Sequence, residues 1–321
     1  MARFLRALVA VGAAAMLPAC ATDLTQARAP CVYEPGGWCG FTRAMAEESW
    51  AYAQLANNSY KDDEEFPRPP AGFRQAGPAH EGEAGYAYVV YDRFGPEDDP
   101  EDGPEDGPED GGHGGDAGGQ RTLVERVIAF RGTEMDSFDD WVFGNIRAQH
   151  NDRGWDTYAE QRKTLDAQGL DAVPITLTGH SLGGAIATYV ALREERARSY
   201  AFNPSPRFSA PETPAGNRRL AVAERGEALR GLPTGSAMFL QDMLVVNCRP
   251  RGAPWKDHSV RKLAECLTWI AAYGDPDALA SLDANAIAKP AVECGPPGKG
   301  HPGVDPPPQG VCRHKRRIDE D

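Results

Sequence analysis

Apolar residues occur along the chain in two spacings that predict different elements. Short β-branched and aromatic runs predict strands at 85–92, 121–130, 173–178, 200–203 and 237–240. Apolar residues at helical spacing predict helices at 42–60, 154–168, 184–198 and 259–273. Strands that alternate with helices form mainly parallel sheets with helices on both faces. The pattern therefore predicts an α/β fold.

The first segment, residues 1–19, has the pattern of an export signal. Arg3 and Arg6 give it a positive end, and the apolar stretch that follows is too short to cross a bilayer as a helix. Leu17-Pro18-Ala19-Cys20 then resembles the lipobox of bacterial lipoproteins. We expect lipidation at Cys20 and a membrane-anchored protein of the bacterial cell envelope, facing the periplasm or the exterior. Ala19-Cys20-Ala21 also fits a cleavage site, so secretion is the alternative.

Seven cysteines are an odd number for an exported protein. Lipidation of Cys20 would leave six in an oxidising compartment, which predicts disulfides. The six candidates are Cys31, Cys39, Cys248, Cys266, Cys294 and Cys312. Cys31 and Cys39 are the easiest local pair, and the partners of the other four stay open because six cysteines allow fifteen connectivities. No C-x-x-C motif or close Cys/His cluster occurs, so we expect no metal site.

The net charge of −13 is concentrated in one segment. Residues 95–120 contain ten acidic residues and no Lys or Arg, so the rest of the chain is nearly balanced. The segment repeats Gly-Pro-Glu-Asp without large apolar residues, which predicts a disordered insertion at a hairpin tip. Gly111–Asp116 matches one copy of a calcium-binding repeat, but one copy cannot form the stacked roll that binds the ion. A balanced body also lacks the basic face of nucleic-acid-binding proteins, so no nucleic-acid partner is expected.

The remaining boundaries follow from composition. Residues 20–40 predict a tether that ends in a small cysteine loop, and residues 41–289 contain the α/β domain with its acidic insertion. Residues 290–321 are rich in Pro and Gly and include a basic cluster at Arg313–Arg317, so we expect an irregular tail.

The pentapeptide Gly179-His180-Ser181-Leu182-Gly183 is the strongest candidate for chemistry. A predicted strand precedes this G-x-S-x-G motif and a predicted helix follows it, which is the context of a nucleophile elbow. Such a turn strains the backbone of the serine, and the flanking glycines remove Cβ atoms that would clash. We expect Ser181 to be a catalytic nucleophile. The alternative is a glycine-rich turn that only packs tightly or binds an anion.

A serine nucleophile needs a histidine base to accept its proton. Three histidines follow Ser181 in the chain: His258, His301 and His314. His258 directly precedes an apolar helix that can fix its position, whereas the other two lie in the Pro/Gly-rich tail. We therefore expect His258 to be the general base.

The base needs a carboxylate to orient its ring, and Asp242 is the expected one. It directly follows the predicted strand 237–240, and sites assemble at the carboxyl ends of parallel strands. Asp257 is too close in sequence to His258 to orient its ring easily, and Asp275 and Asp277 would fit only a different layout.

An oxyanion hole needs donors directed at the oxygen that becomes negative. The backbone N–H of Leu182 follows the nucleophile and is one expected donor. Thr133 is the other, because Phe130-Arg131-Gly132-Thr133 ends a predicted strand and Gly132 allows the backbone to approach closely.

Four segments of the chain carry a resemblance to a known family: AFRGT at 129–133, DWVFGN at 140–145, TGHSLGGA at 178–185 and YAFNPSPR at 200–207. Together they resemble the class 3 lipases, a family also called fungal-lipase-like. The resemblance covers about residues 41–273. It implies an α/β-hydrolase fold, with Ser181 as nucleophile, Thr133 and Leu182 at the oxyanion hole and a lid at Glu134–Asp140.

The resemblance also implies that the chain cleaves carboxylic esters of lipids or small esters, without a cofactor. The family's acid usually follows Asn, whereas Asp242 follows Gln241, and the gap from Asp242 to His258 is short. The expected mechanism is a Ser-Asp-His triad that forms an acyl-enzyme. A phospholipase or acyltransferase with the same triad is the alternative within enzymes. A catalytically silent surface-binding module is the alternative outside them.

Overall fold

The computed structural model describes residues 23–25, 31, 34–60, 65–95, 122–132, 146–206, 208–231, 240–249, 254–290, 292, 293 and 302. Several predicted features lie outside these residues. They are the signal at 1–19, Cys20, the acidic insertion beyond Gly95, Thr133, the lid at Glu134–Asp140, Cys294, Cys312 and nearly all of the tail.

The described strands form one mainly parallel sheet. They are β1 (Asp23–Thr25), β2 (Phe73–Gln75), β3 (His80–Glu81), β4 (Ala87–Phe94), β5 (Leu123–Phe130), β6 (Ile175–His180), β7 (Ala197–Phe202), β8 (Arg219–Glu224) and β9 (Asp242–Val246). The order is β1-β9-β8-β7-β6-β5-β4-β2, with β3 also paired to β4. In this spatial order, every neighbouring pair from β1 through β9, β8, β7 and β6 to β5 is parallel. The three pairs that involve β4 are antiparallel. The predicted mainly parallel sheet is confirmed.

Helices cover both faces of this sheet. They are α1 (Gly40–Asn58), α2 (Ile146–Ala167), α3 (Leu182–Ala191), α4 (Pro254–Asp257), α5 (Val260–Ala271) and α6 (Pro276–Ala284). Helices α1, α5 and α6 share one apolar core with the sheet, and α2 and α3 share a second core with its other face. This arrangement is the predicted α/β class with helices on both sides. Within the described parts of the chain, no helix is both long enough and apolar enough to span a membrane.

Strand β5 shows how the sequence separates the two cores. Val127 and Ala129 pack into the core of α1 and α5, while Ile128 and Phe130 pack into the core of α2 and α3. Successive side chains of a strand point to opposite faces, and all four are fully buried. A strand covered on both faces needs a continuous apolar run, which explains the composition of β5.

Two disulfides are present among the described cysteines. Cys31 bonds to Cys39, as predicted for the local pair. Cys248 bonds to Cys266 and joins the segment after β9 to α5. This second bond selects one pairing that the sequence left open.

Two strands differ from expectation, and both affect the site. Strand β8 was not predicted, and the strand expected at 237–240 is instead seen as β9, which begins at Asp242. Residues 237–239 lie outside the described part. The predicted helix 184–198 is also shorter, because α3 ends at Ala191 and β7 begins at Ala197.

Candidate active site

Ser181 lies at the sharp turn between β6 and α3. Its backbone has φ 56° and ψ −119°, a conformation that L-residues adopt at an energetic cost and that is typical of functional sites. Two hydrogen bonds hold this turn: the N–H of Ser181 donates to the Phe202 carbonyl at 3.1 Å, and the Ser205 N–H donates to the Ser181 carbonyl at 3.0 Å. Ser181 thus has the strained geometry that its motif predicts.

Glycines make this turn sterically possible. A Cβ on Gly179 would lie 2.8 Å from the backbone nitrogen of Gly184, closer than real Cβ atoms approach. A Cβ on Gly183 would overlap the carbonyl group of Phe130 at the end of β5. Because these neighbours are backbone atoms, no side-chain rotation could relieve the clash. Both glycines are therefore required by packing.

The loop after β5 runs directly against the nucleophile. Strands β5 and β6 are parallel and in register, with Phe130 beside Gly179, so both end at the same edge of the sheet. A Cβ on Gly132 would lie 2.7 Å from the backbone carbonyl oxygen of His180 and 3.1 Å from the Cβ of Ser181, so only glycine allows this approach. Thr133 follows Gly132 in sequence but is not described. Leu182, the other expected donor residue, is the first residue of α3, so its N–H lies at the positive end of the helix dipole.

His258 lies beside the nucleophile turn with its ring held by a carboxylate. Its Nδ1 is 2.9 Å from Oε2 of Glu227, and both side chains are almost completely buried. The centroid of its ring is 4.6 Å from that of His180, the residue before Ser181. Ser259 caps α5 immediately after it, accepting a hydrogen bond from the N–H of Lys262. The expected helix start therefore fixes the position of His258.

Glu227 was not predicted from the sequence. It follows β8 by three residues, and its Oε2 also accepts a hydrogen bond of 2.8 Å from the N–H of Leu229. This second contact fixes the carboxylate that faces His258. A signal was available, because Leu220–Ala223 is a short apolar run followed by Gly226, which is typical of a strand and a turn.

The prediction that Asp242 orients His258 is wrong for this structure. Asp242 is the first residue of β9 rather than a residue beyond a strand end, and its side chain pairs with Arg218. The sheet is parallel here, so the start of β9 lies at the opposite edge from the ends of β6 and β8, which Ser181 and Glu227 follow. The side chain of Asp242 is also 39 % exposed, whereas that of Glu227 is 1 % exposed.

A second buried carboxylate supports the same loops. Glu224, the last residue of β8, accepts hydrogen bonds from the N–H groups of Cys248 at 2.9 Å and Arg249 at 3.0 Å. Burial raises the pKa of Glu224 to about 8.

Across the described residues, no group of three or more His, Cys, Asp or Glu side chains could hold a metal ion.

Comparison with known families gives a match to part of the chain. The model for the lipase (class 3) family matches residues 127–223, from within β5 to within β8. The matched segment contains Gly132, Ser181 and the strand ends that surround them. This part of the chain is therefore similar to the class 3 lipases. The matched segment and the fold are those of a carboxylic ester hydrolase of the α/β-hydrolase class.

Solved structures to which parts of this chain are similar include three fungal lipases. Lipase II from Rhizopus niveus is 16 % identical over 60 % of this chain and 77 % of its own, with a TM-score of 0.41. The lipase from Rhizopus microsporus var. chinensis is 15 % identical over 68 % and 79 %, with a TM-score of 0.40. The Rhizomucor miehei triacylglyceride lipase is 17 % identical over 59 % and 75 %, with a TM-score of 0.38. A comparison with curated proteins gives no match.

Proposed function

We propose that this protein is a class 3 lipase and that it cleaves carboxylic esters of lipids with Ser181, His258 and Glu227 as its catalytic triad. The contact between His258 and Glu227 beside the strained serine is the observation that supports the proposal. An ionised Glu227 can only accept a hydrogen bond, so Nδ1 of His258 carries a proton and donates it. Nε2 is then the unprotonated nitrogen and can accept a proton from the Ser181 hydroxyl.

Acylation proceeds in two steps. The Oγ of Ser181 bonds to the ester carbonyl carbon while its proton moves to Nε2 of His258, which gives a tetrahedral oxyanion. The bond from that carbon to the alcohol oxygen then breaks, and the alcohol leaves with the proton from His258. Glu227 stabilises the imidazolium throughout and does not itself take the proton.

Deacylation repeats this chemistry with water. His258 removes a proton from the water, whose oxygen bonds to the acyl carbon, and then returns that proton to Oγ of Ser181 as the carboxylic acid leaves. We propose that the oxyanion accepts hydrogen bonds from the Leu182 N–H and from Thr133 in both halves. One such donor is worth about 2.7–4 kcal/mol of transition-state stabilisation.

A serine replacement tests the proposal most directly. We expect Ser181→Ala to abolish hydrolysis of a short-chain p-nitrophenyl ester and labelling by a fluorophosphonate probe, because both need an activated serine. Ser199→Ala is the matched control, since Ser199 is a fully buried serine on β7 and its replacement leaves the triad intact. Unchanged hydrolysis by Ser181→Ala would reject the mechanism. A fully folded protein that neither hydrolyses esters nor takes up the probe would favour the silent binding module.

The lipid substrate is tested by a graded series. We expect hydrolysis of acylglycerols in addition to short soluble esters. Preferential hydrolysis of glycerophospholipids, or acyl transfer to an added alcohol in excess of hydrolysis, would replace the lipase assignment by the phospholipase or acyltransferase alternative.

We also propose that Cys20 is lipidated and anchors the protein in the bacterial cell envelope. The two observed disulfides leave Cys20 outside the pairs they form, which is compatible with that role. Cys20→Ser should abolish incorporation of radiolabelled palmitate and release the enzyme from the membrane fraction. Cys31→Ser should keep the label. Equal labelling of both variants would exclude lipidation at Cys20.

A further inference from the structure

A chain of hydrogen bonds runs through the ring of His180, the residue before Ser181. The Nε2 of His180 is 2.6 Å from the carbonyl oxygen of His258, and its Nδ1 is 2.7 Å from the hydroxyl oxygen of Tyr60. The N–H of Gly132 donates to that same hydroxyl oxygen at 3.1 Å. The chain thus joins the loop after β5, the nucleophile turn and the segment that carries the base.

Every hydrogen bond in this chain has one possible direction. Burial, together with the neighbouring His258, holds the pKa of His180 well below its ordinary value, so its ring is neutral. The His258 carbonyl can only accept, so Nε2 of His180 donates and its Nδ1 is an acceptor. The Tyr60 hydroxyl therefore donates to Nδ1, and its oxygen accepts from the Gly132 N–H. Each group is used in a role it can fill, which fixes the tautomer of His180.

We propose that His180 and Tyr60 are positioning residues that hold the base His258 and the loop after β5 at a fixed separation around Ser181. This proposal rests on the proposed function. Neither side chain takes part in bond making, and both act through the backbone groups that they hold. The neighbour of Gly132 in sequence is Thr133, so the Gly132 N–H is the last described point of attachment before the expected oxyanion donor.

A second residue, at the end of β7, holds the segment that carries His258. Nδ2 of Asn203 donates to the carbonyl of Asp257 at 3.3 Å, and its Oδ1 accepts from the N–H of Glu224 at 2.8 Å. Two successive carbonyls, those of Asp257 and His258, are therefore each held by a side chain from a neighbouring strand end. These two contacts fix the position of the His258 backbone, and the hydrogen bond to Glu227 then fixes the orientation of the imidazole ring.

The position of the base matters because catalysis depends steeply on geometry. A misplacement of 1 Å can cost about 100-fold in rate. Removing the hydroxyl of Tyr60 leaves the Gly132 N–H and Nδ1 of His180 without this partner, so both loops can shift. If these contacts position catalytic groups rather than bind substrate, the effect should fall on kcat rather than on KM.

The test compares Tyr60→Phe, His180→Leu and His180→Gln in the full-length enzyme with a soluble short-chain p-nitrophenyl ester. We expect Tyr60→Phe to lower kcat about 10- to 100-fold and to change KM by less than about threefold. His180→Leu should lower kcat at least as much. His180→Gln should recover part of that loss, because its amide N–H can still donate to the His258 carbonyl.

A double variant tests whether the two residues act together. The combined loss of kcat in Tyr60→Phe/His180→Leu should be smaller than the product of the two single losses, since both changes break one chain. Losses that multiply would show that the residues act independently and would overturn the proposal.

Tyr273→Phe is the matched control for stability. Its hydroxyl donates to Glu293 at 2.5 Å, beyond the far end of α5, about 18 Å along the helix axis from the end next to His258. We expect it to lower the Tm while kcat at a temperature well below that Tm stays within about twofold. A kcat within about twofold of wild type for Tyr60→Phe would overturn the positioning proposal. If Tyr60→Phe keeps its kcat while Ser181→Ala is inactive in the same assay, the positioning proposal fails and the proposed triad stands. If Ser181→Ala is active, the triad itself fails.

Discussion

Glu227 and Asp242 show at the residue scale how environment, rather than residue type, assigns a role. Both are carboxylates that follow Ser181 and precede His258 in the chain. Glu227 is buried and its Oε2 is fixed by the Leu229 N–H and His258, whereas Asp242 is partly exposed and paired with Arg218. A buried, fixed carboxylate stabilises an imidazolium far more than an exposed one that solvent screens.

Replacing each acid separately tests this difference. Glu227→Gln should lower kcat by about 10²–10⁴-fold, because an amide neither balances the imidazolium charge nor enforces the tautomer. Asp242→Asn should leave kcat within about threefold, since it breaks only a partly exposed ion pair. Steady-state kinetics on a soluble ester would distinguish the two. A large loss in Asp242→Asn with a normal rate in Glu227→Gln would reverse the assignment.

Glu224 supplies a pH prediction at the same scale. Its ordinary pKa is 4.5, and burial raises the pKa in the folded protein to about 8. Between these values the folded state keeps a proton that the unfolded state releases, so the free energy of unfolding falls as the pH rises, by up to about 1.4 kcal/mol per unit. Glu224→Gln removes this dependence while keeping an acceptor for the Cys248 and Arg249 N–H groups.

The measurement is urea unfolding of wild type and Glu224→Gln at pH 5.5 and pH 7.5, with the disulfides intact. The variant should gain stability relative to wild type at the higher pH. A stability difference that is the same at both values would contradict the raised pKa, because the other titrating groups cancel in the comparison.

At the element scale, the close approach of β5 and α3 decides the geometry around Ser181. Gly183 lies in the first turn of α3 with no room for a side chain against the Phe130 carbonyl. This contact sets the distance between the nucleophile turn and the loop after β5. Any increase in that distance would separate the nucleophile from the expected oxyanion donors.

Gly183→Ala should therefore destabilise the protein by about 2 kcal/mol or more, since the clash is with backbone. Gly216→Ala is the control, because Gly216 has open space around the position of a Cβ and lacks a positive φ. Thermal unfolding followed by circular dichroism would measure both. A Tm for Gly183→Ala equal to that of Gly216→Ala would show that this packing is not tight.

The elements that the sequence predicted well are those in which local pattern and tertiary burial agree. Strand β5 is apolar throughout because both of its faces are covered, and its predicted and observed ends nearly coincide. Strand β8 was missed because charged residues, Arg219 and Glu224, begin and end it. Helix α3 ends at Ala191 although helix-forming residues continue, because β7 pairs with β6 from Ala197 onwards. Sheet pairing there overrides local propensity.

At the scale of the whole molecule, the Cys248–Cys266 disulfide connects the sheet to the helix that follows the base. A loop of this length is expected to contribute about 3 kcal/mol by restricting the unfolded chain. Its sequence separation is 18 residues, against 8 for Cys31–Cys39. The shorter loop restricts the unfolded chain less.

Replacing both cysteines of each pair by Ser should separate the two contributions. Cys248→Ser/Cys266→Ser should lose about 3 kcal/mol of unfolding free energy, and Cys31→Ser/Cys39→Ser about 2.5 kcal/mol. Urea unfolding under non-reducing conditions would give both values. A smaller loss in the Cys248/Cys266 variant than in the other would contradict the dependence on loop length.

The amino-acid sequence is enough to predict the α/β class, the nucleophile turn with its two required glycines, the histidine before α5 and the local Cys31–Cys39 pair. Each depends on residues that are neighbours in the chain, where short-range sterics and hydrophobic periodicity decide the outcome. Other contacts become apparent only in the folded protein: Glu227 rather than Asp242 contacts His258, Cys248 pairs with Cys266, and Tyr60 and His180 connect the loops around Ser181. These contacts depend on strand order and on where each strand begins and ends, and a shift of a strand's start by a few residues moves a carboxylate from one edge of a parallel sheet towards the other.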